Sequence, residues 1–208
     1  QHNANVSRAV HTLGTEATEA YEGARKTLAR FLNVRPDELV LCSGTTFAIN
    51  LVAYSWALPR LTAGDTILVS RMEHHANIVP WQFYARQQGV ILDVVPLTAD
   101  YRLDWVEFNR LLSLKPKVVS LTQVSNVLGH IQPVIAMVQQ AKAIGAITII
   151  DGAQGILLQQ PDVQQLDCDF YVFSGHKIYG PTGIGVLYGQ RTKLELLRPL
   201  LYGGEMIQ

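Results

Sequence analysis

The sequence has few of the features that assign a chain to a class of protein at once. It contains only two cysteines, Cys42 and Cys168, which give no basis for a disulfide framework or a CxxC metal motif. No apolar run is long enough to span a bilayer, and the first residues lack the apolar core of a signal peptide. We therefore expect a cytoplasmic protein that does not bind a membrane, with each cysteine in a buried structural position.

A net charge is also missing. The 17 Lys and Arg residues balance the 17 Asp and Glu residues, and the sequence has no basic run. Such a chain has no overall field that attracts nucleic acid or an anionic membrane, so any anion must be bound locally. The sequence also lacks an initiator Met, and we interpret it as part of a longer protein.

Apolar strands and amphipathic helices alternate along the chain. The spacing of apolar residues predicts helices over 15–32, 76–88 and 104–112, and further helices in TTFAINLVAYSWAL, PVIAMVQQAKAIG and RTKLELLRPL. The strands between them, such as TILVS and AITII, are continuous apolar runs, which are typical of parallel strands covered on both faces. The sequence therefore predicts an α/β fold with a mainly parallel open sheet and helices on both faces.

Polar residues follow several of these strands, at the edge where open α/β sheets bind ligands. Lys177 follows the strand DFYVF, where desolvation disfavours the charged ammonium and makes the amine a usable nucleophile. Ser174 and His176 can donate to a phosphate, and the glycines of the next loop, GPTGIG, let the backbone approach a ligand. The alternative for this cluster is an exposed loop lysine beside a core histidine.

Two further clusters carry a carboxylate and a histidine. Asp151 closes the strand AITII, where a carboxylate needs a partner or a function, and Gln154 can lie on the same side of the turn. His74 and His75 follow the strand TILVS, but adjacent side chains point in different directions and nothing completes a ligand shell, so no metal is expected. A histidine here suits stacking on an aromatic cofactor or acid/base catalysis. The alternative for the aspartate is a structural ion pair or a helix cap. The alternative for the histidine is a plain loop position.

The remaining clusters lie at a helix start and in a loop. Thr45 or Thr46 is expected to cap the helix after the first strand, and helix N-termini suit phosphate. Asn126 follows the strand KVVSLTQV and can reach a carboxylate or a cofactor oxygen. In isolation, capping and turn positions are the simpler interpretations of these residues. Together, however, the five clusters supply the lysine, acid, flat group and phosphate donors that pyridoxal 5′-phosphate (PLP) requires.

The run SGHKIYGPTGIGVLYG (174–189) resembles the lysine motif of class V aminotransferase-fold PLP enzymes. It is most similar to the subgroup of SUF-type cysteine desulfurases and selenocysteine lyases, and SGTTFAINLVA, EHHANIVPWQ, SNVLG and DGAQ match the same subgroup in the same order. The resemblance implies a PLP-transferase type I large domain over 15–208, preceded by an N-terminal segment over 1–14. It also implies a smaller C-terminal domain, which we expect to lie outside this chain.

The resemblance also implies a role for each candidate residue. Lys177 is expected to hold PLP as a Schiff base and to move protons, with His74 stacked on the ring and assisting it. Asp151 is expected to bind the pyridine nitrogen, Gln154 the phenolic oxygen, and Asn126 to lie near the substrate carboxylate. The phosphate is expected at Thr45, Thr46, Ser174 and His176. Ser43 departs from the subgroup, which usually has Arg there.

For the longer protein, the resemblance implies conversion of L-cysteine to alanine, with the sulfur passing to a reactive cysteine as a persulfide and then to an acceptor protein for iron–sulfur cluster assembly. It implies a homodimer, and a reactive cysteine that is neither Cys42 nor Cys168. The chain by itself is expected to bind PLP weakly and to be inactive. Another class V aminotransferase, epimerase or lyase, or a non-catalytic dimerization or interaction module, remains the alternative. A nucleotide-binding Rossmann protein is disfavoured because no GxGxxG opens the first βα unit.

Overall fold

The computed structural model describes residues 4–6, 11–158, 160–203 and 206, and in this part of the chain seven strands form one sheet. The strands are β1 (Leu39–Cys42), β2 (Thr66–Ser70), β3 (Ile91–Val95), β4 (Val118–Thr122), β5 (Ile147–Asp151), β6 (Phe170–Ser174) and β7 (Gly185–Gly189). Their order in the sheet is β1-β7-β6-β5-β4-β2-β3. Only β7 runs against its neighbours, so the other six strands point the same way. The prediction of a mainly parallel α/β sheet is confirmed.

Helices cover both faces of the sheet. They are α1 (Thr12–Leu32), α2 (Thr45–Val52), α3 (Val79–Gln88), α4 (Trp105–Ser113), α5 (Val134–Ala143), α6 (Gly155–Leu158), α7 (Val163–Leu166) and α8 (Arg191–Leu194). In β2, Leu68 packs into a core with α1, α4, α5, α6 and α7, whereas Ile67 and Val69 pack into a second core with α2 and α3. Successive strand residues point to opposite faces, so the two cores lie on opposite sides of the sheet. No helix in the described ranges is long and apolar enough to cross a membrane.

Three predicted helices have different bounds in the structure. The segment 76–88 forms a 3-10 helix, His75–Asn77, followed by α3, because Pro80 has no N–H to donate and suits only the first turn of a helix. The helix expected across TTFAINLVAYSWAL is α2 continued by a π-helical segment, Ala53–Ala57. The last predicted helix is reduced to the four residues of α8.

Other predictions need smaller corrections. Helix α1 starts before residue 15, and residues 1–3 and 7–10 of the predicted N-terminal segment lie outside the described residues. Helices α6 and α7 were not predicted, since four residues are too few to show a helical period. Strand β3 is not covered on both faces, because it forms a sheet edge where Ile91 and Val94 are exposed. Cys168 is buried as expected, but Cys42 is only half-buried.

Candidate functional site

The loops at the carboxyl ends of the parallel strands enclose a cavity of about 220 Å³. Residues that follow β1, β2, β4, β5 and β6 meet at this edge because these five strands point the same way. All nine residues singled out in the sequence line the cavity: Thr45, Thr46, His74, Asn126, Asp151, Gln154, Ser174, His176 and Lys177. The fold therefore brings the five predicted clusters together at one place.

The cavity has a buried polar floor and a more exposed rim. Thr45, Asp151 and Ser174 are buried, so their polar groups are costly to leave without partners. Gln154 and Lys177 are half-buried. The exposed rim residues are Thr46, His74, Asn126 and His176. A small molecule entering the cavity thus meets the rim first and the buried groups last.

The floor near β1 and β6 is built from Thr45 and Ser174. The Thr45 backbone N–H donates to the Ser174 Oγ at 2.9 Å, and the two hydroxyl oxygens are 2.8 Å apart. Neither threonine is the N-cap that the sequence predicted, since α2 is preceded by Gly44 and Thr45 is its first residue. The Thr45 hydroxyl is directed to Ser174 instead. The first helical hydrogen bond of α2 runs from the Ala48 N–H to the Gly44 carbonyl oxygen, so the N–H groups of Thr46 and Phe47 precede it at the helix end.

Two glycines allow this floor to form. A Cβ on Gly185, in β7, would lie 2.4 Å from the Gly44 Cα, so no larger residue fits at that position. Gly44 itself has a φ of +154°, a conformation that favours glycine, and a Cβ there would lie 3.4 Å from the Ser174 Oγ. The close approach of these two backbones brings the start of α2 against Ser174.

Asp151 occupies the floor at the end of β5. Its side chain is 2% exposed, and its Oδ1 accepts a hydrogen bond from the Ala153 N–H at 2.9 Å. Burial raises the pKa of Asp151, while the Ala153 hydrogen bond and the nearby charges of His74 and Lys177 lower it. Two basic side chains therefore face this buried acid, which is suited to share a proton with a basic atom of a ligand.

The turn after Asp151 packs on a buried hydrogen-bonded pair that the sequence did not reveal. The Tyr171 hydroxyl donates to the Gln123 Oε1 at 2.7 Å. A Cβ on Gly152 would lie 2.0 Å from the Tyr171 ring, and one on Gly155 would lie 2.2 Å from the Gln123 Oε1. Both glycines of the turn are therefore needed for close packing, and the turn holds Asp151 and Gln154 at the cavity.

His74 is held at the rim by a local hydrogen bond. Its Nδ1 accepts from the Ala76 N–H at 3.1 Å, and its carbonyl oxygen accepts from the Asn77 N–H at 2.8 Å. A backbone N–H is always a donor, so the Nδ1 carries no proton in this arrangement. The Nε2 is the ring nitrogen left to hold or exchange a proton.

Lys177 lies in a 3-10 helix, Gly175–Ile178, directly after β6. The loop closes tightly on itself, because the Gly175 N–H donates to the Ile184 carbonyl oxygen and the Gly180 N–H donates to the Gly175 carbonyl oxygen, both at 2.9 Å. A Cβ on Gly175 would lie 2.7 Å from the Ile184 Cγ2. This packing holds Lys177 at the cavity in a partly solvated position.

Asn126 reaches the rim from a tight loop after β4. The Ser125 Oγ accepts from the N–H groups of Val127 and Leu128 at 3.3 and 3.1 Å, and the Ser125 carbonyl oxygen accepts from the Gly129 N–H at 2.9 Å. These bonds turn the chain around Ser125 and leave Asn126 exposed. Asn126 is therefore placed to meet a ligand from the solvent side.

The residues present fit PLP. A cavity of about 150 Å³ holds benzene, so the larger cavity here has room for a substituted six-membered ring. In the strand order, β1 and β5 lie on opposite sides of β6. Lys177, after β6, thus stands between the α2 start with Thr45 and the buried acid Asp151. An amine between a phosphate-type helix start and an acid is the set that this cofactor needs.

Three lining residues were not predicted: Ala76, Thr122 and Val124. Thr122 ends β4, so the rule that ligands bind at carboxyl strand ends would have found it. The two apolar residues, Ala76 and Val124, give no chemical signal in a sequence. Within the described ranges, no group of three or more His, Cys, Asp or Glu side chains is arranged to hold a metal ion.

Comparison with known proteins gives concordant results. The sequence matches the family model described as aminotransferase class-V over residues 1–208. The probable cysteine desulfurase of Xylella fastidiosa (strain 9a5c) is 54% identical over 208 residues, which are 100% of this chain and 50% of that relative. The chain spans about half the length of the curated relatives it matches.

Solved structures share the fold at the same coverage. The cysteine desulfurase CsdA from Escherichia coli has a TM-score of 0.87 and 43% sequence identity, over 99% of this chain and 52% of that chain. The apo cysteine desulfurase from Thermococcus onnurineus NA1 has a TM-score of 0.93 and 36% identity, over 100% of this chain and 52% of that chain. Both bear out the fold predicted from the sequence motifs.

Proposed function

Because the chain belongs to the class V aminotransferase family, we propose that it binds PLP in the cavity at the carboxyl edge of its sheet. The observation that carries this proposal is that Lys177, Asp151 and the Thr45–Ser174 pair, which lie at the carboxyl ends of three different strands, line the same cavity. Residues 15–208 would then act as the cofactor-binding large domain of a longer protein.

When bound, PLP supplies an electron sink that weakens the bonds at the α-carbon of an amino-acid substrate. The Lys177 Nζ would hold the cofactor and move a proton at that carbon. The carboxylate of Asp151 would accept a hydrogen bond from the protonated ring nitrogen, whose positive charge would offset the burial that raises the pKa of this carboxyl. Gln154 would donate to the phenolic oxygen from the turn after β5.

The remaining lining residues would bind and orient. The phosphate would lie against the start of α2, with Thr45, Thr46, Ser174 and His176 as donors. His74 would stack on the ring at the rim, with its Nε2 available for proton transfer because its Nδ1 is engaged by the Ala76 N–H. Asn126, exposed on the solvent side, would contact the substrate carboxylate.

For the longer protein we propose L-cysteine desulfurization, which releases alanine and passes the sulfur to a cysteine thiolate as a persulfide. The names of the relatives support this reaction. Burial raises the pKa of the Cys42 thiol, and burial with the nearby Asp169 raises that of Cys168, so both are poor thiolates. The sulfur-accepting cysteine would therefore lie outside this chain. We also propose that the longer protein is a cytoplasmic homodimer. It would pass the sulfur to an acceptor protein for iron–sulfur cluster assembly.

A PLP titration followed by absorbance tests the cofactor site. The wild-type chain is expected to develop a visible band of the lysine-bound cofactor that borohydride abolishes. Lys177→Ala should lose the band, whereas Lys26→Ala, at an exposed position on α1, should keep it. A wild-type chain that stays colourless at saturating PLP, or a band that survives in Lys177→Ala, would contradict the proposal.

A further inference from the structure

Glu73 is a buried carboxyl group next to the cavity that the proposed function does not use. It is 7% exposed and lies between the end of β2 and His74. Carboxylates are rarely buried to this extent without hydrogen-bonding partners or a function. Its neighbour in sequence is His74, the histidine at the cavity rim.

The Glu73 carboxyl is held by two side-chain donors. The Ser70 hydroxyl donates to the Glu73 Oε1 at 2.5 Å, and the Asn77 Nδ2 donates to the Glu73 Oε2 at 2.7 Å. The Ser70 Oγ also accepts from the Met72 N–H at 3.2 Å, which leaves its own proton free for Glu73. These bonds join the end of β2 to the 3-10 helix that follows His74.

The orientation of the Asn77 amide is determined by its other partners. Its Oδ1 accepts from the Trp81 Nε1 at 3.1 Å and from the Ser120 Oγ at 2.5 Å. An indole N–H is only a donor, so the oxygen of the amide must face Trp81 and the nitrogen must face Glu73. Asn77, Trp81 and Ser120 are all fully buried, and the network has no water-exposed member that can rotate freely.

This network reaches His74 through the backbone. Asn77 is the last residue of the 3-10 helix His75–Asn77, and its N–H donates to the His74 carbonyl oxygen. With both ends of this turn fixed, the Ala76 N–H points at the His74 Nδ1. The contact excludes a proton on Nδ1, and in the neutral ring the proton must lie on Nε2.

We propose that Glu73 and Asn77 are positioning residues that hold His74 in its Nε2–H tautomer at the cavity rim. The consequence for catalysis, a single histidine nitrogen presented to the reacting groups, rests on the proposed function. The tautomer itself does not, because every contact that determines it is made within this chain. It can therefore be measured without the cofactor.

The test is ¹⁵N NMR of the cofactor-free 208-residue chain with labelled histidine, at a pH where the rings are neutral, with His74→Gln to assign the signals. In wild type, the Nδ1 of His74 should resonate as an unprotonated nitrogen and the Nε2 as a protonated one. Glu73→Ala should shift the two signals toward each other as the tautomers exchange. Glu73→Gln should restore the wild-type pattern, because the glutamine oxygen can accept from Asn77 while its amide donates to Ser70.

Thr148→Val is the matched control. It removes the two hydrogen bonds of the Thr148 hydroxyl, which donates to the Asp169 carboxylate and accepts from the Asp169 N–H at the other end of β5, so it should lower the melting temperature without changing the His74 signals. A wild-type Nδ1 that carries the proton would overturn the proposal, as would a folded Glu73→Ala chain with the wild-type pattern. If Glu73→Ala does not fold, Ser70→Ala takes its place, because it removes one of the two side-chain donors to Glu73. A folded Ser70→Ala chain with the wild-type His74 pattern would likewise overturn the proposal. If this NMR test fails while the PLP titration gives the expected band, the proposed cofactor site stands and only the positioning role of Glu73 and Asn77 is lost.

Discussion

Replacing Glu73 by Gln is expected to change how the stability of the protein depends on pH. Burial raises the pKa of Glu73 from 4.5 to about 7; the hydrogen bonds from Ser70 and Asn77 oppose the shift, and the nearby charge of Asp151 adds to it. The folded chain therefore binds this proton more tightly than the unfolded chain does. Stability from the group is fully present below about pH 4.5 and is lost as the pH rises through about 7.

The magnitude follows from the two pKa values. At about 1.4 kcal/mol per pH unit, the interval from 4.5 to about 7 gives an upper limit of about 3 kcal/mol. Between about pH 5.5 and about pH 8, roughly 2 kcal/mol of this should be lost from wild type. Because Glu73 is only 7% exposed, solvent screening has little effect on this figure.

Urea unfolding at several pH values measures the effect. The free energy of unfolding of wild type minus that of Glu73→Gln should fall by about 2 kcal/mol over this range, because other titrating groups cancel in the difference. Glu19→Gln, at an exposed position on α1, controls for the loss of a carboxylate at the surface. A difference that stays constant with pH would refute the reasoning, since Glu73 would then titrate alike in the folded and unfolded chains.

Two further predictions concern the floor of the cavity. Gly152→Ala should lower the free energy of unfolding by about 1–3 kcal/mol, because its Cβ would overlap the buried Tyr171 ring. Gly23→Ala in α1, where a Cβ meets nothing within 4 Å, should raise it by up to about 1 kcal/mol in the same urea experiment, and equal effects would contradict the packing argument. Ser174→Ala should weaken PLP binding about tenfold or more in an absorbance titration, since a hydrogen bond to a charged group contributes about 1.5–3 kcal/mol. An unchanged affinity would exclude Ser174 from the phosphate site.

Much of the fold could be predicted from local patterns. Apolar runs such as TILVS and AITII have no polar alternation, so they indicated strands covered on both faces, and the helical spacing of 15–32 and 104–112 indicated helices that the structure contains. The break before α3 and the change to a π-helix after α2 could not be read from this spacing. They depend on Pro80 and on packing that apolar periodicity does not record.

The candidate site was predictable where residue types carry chemistry. Lys177, Asp151 and His74 were found because each follows an apolar strand, and the parallel sheet then brings such positions to one edge. Glu73 precedes a pair of histidines and was assigned no role of its own, and the Tyr171–Gln123 pair resembles ordinary core sequence. Their importance comes from contacts across the chain, as between Tyr171 and Gln123, 48 residues apart.

The sequence by itself determined most of the strands and the longer helices, the family to which the chain belongs, and the set of side chains at the strand ends. These depend on local composition and on motifs that are continuous in the chain. Only the tertiary structure decided that β7 runs against its neighbours, that Thr45 bonds to Ser174 rather than capping α2, and that His74 presents its Nε2. The first two result from hydrogen bonds and close packing between segments that meet only when the sheet is assembled, because burial makes an unpaired polar group too costly to leave. The third is a hydrogen bond within one turn, from the Ala76 N–H to the His74 Nδ1, which the local pattern of the sequence does not show.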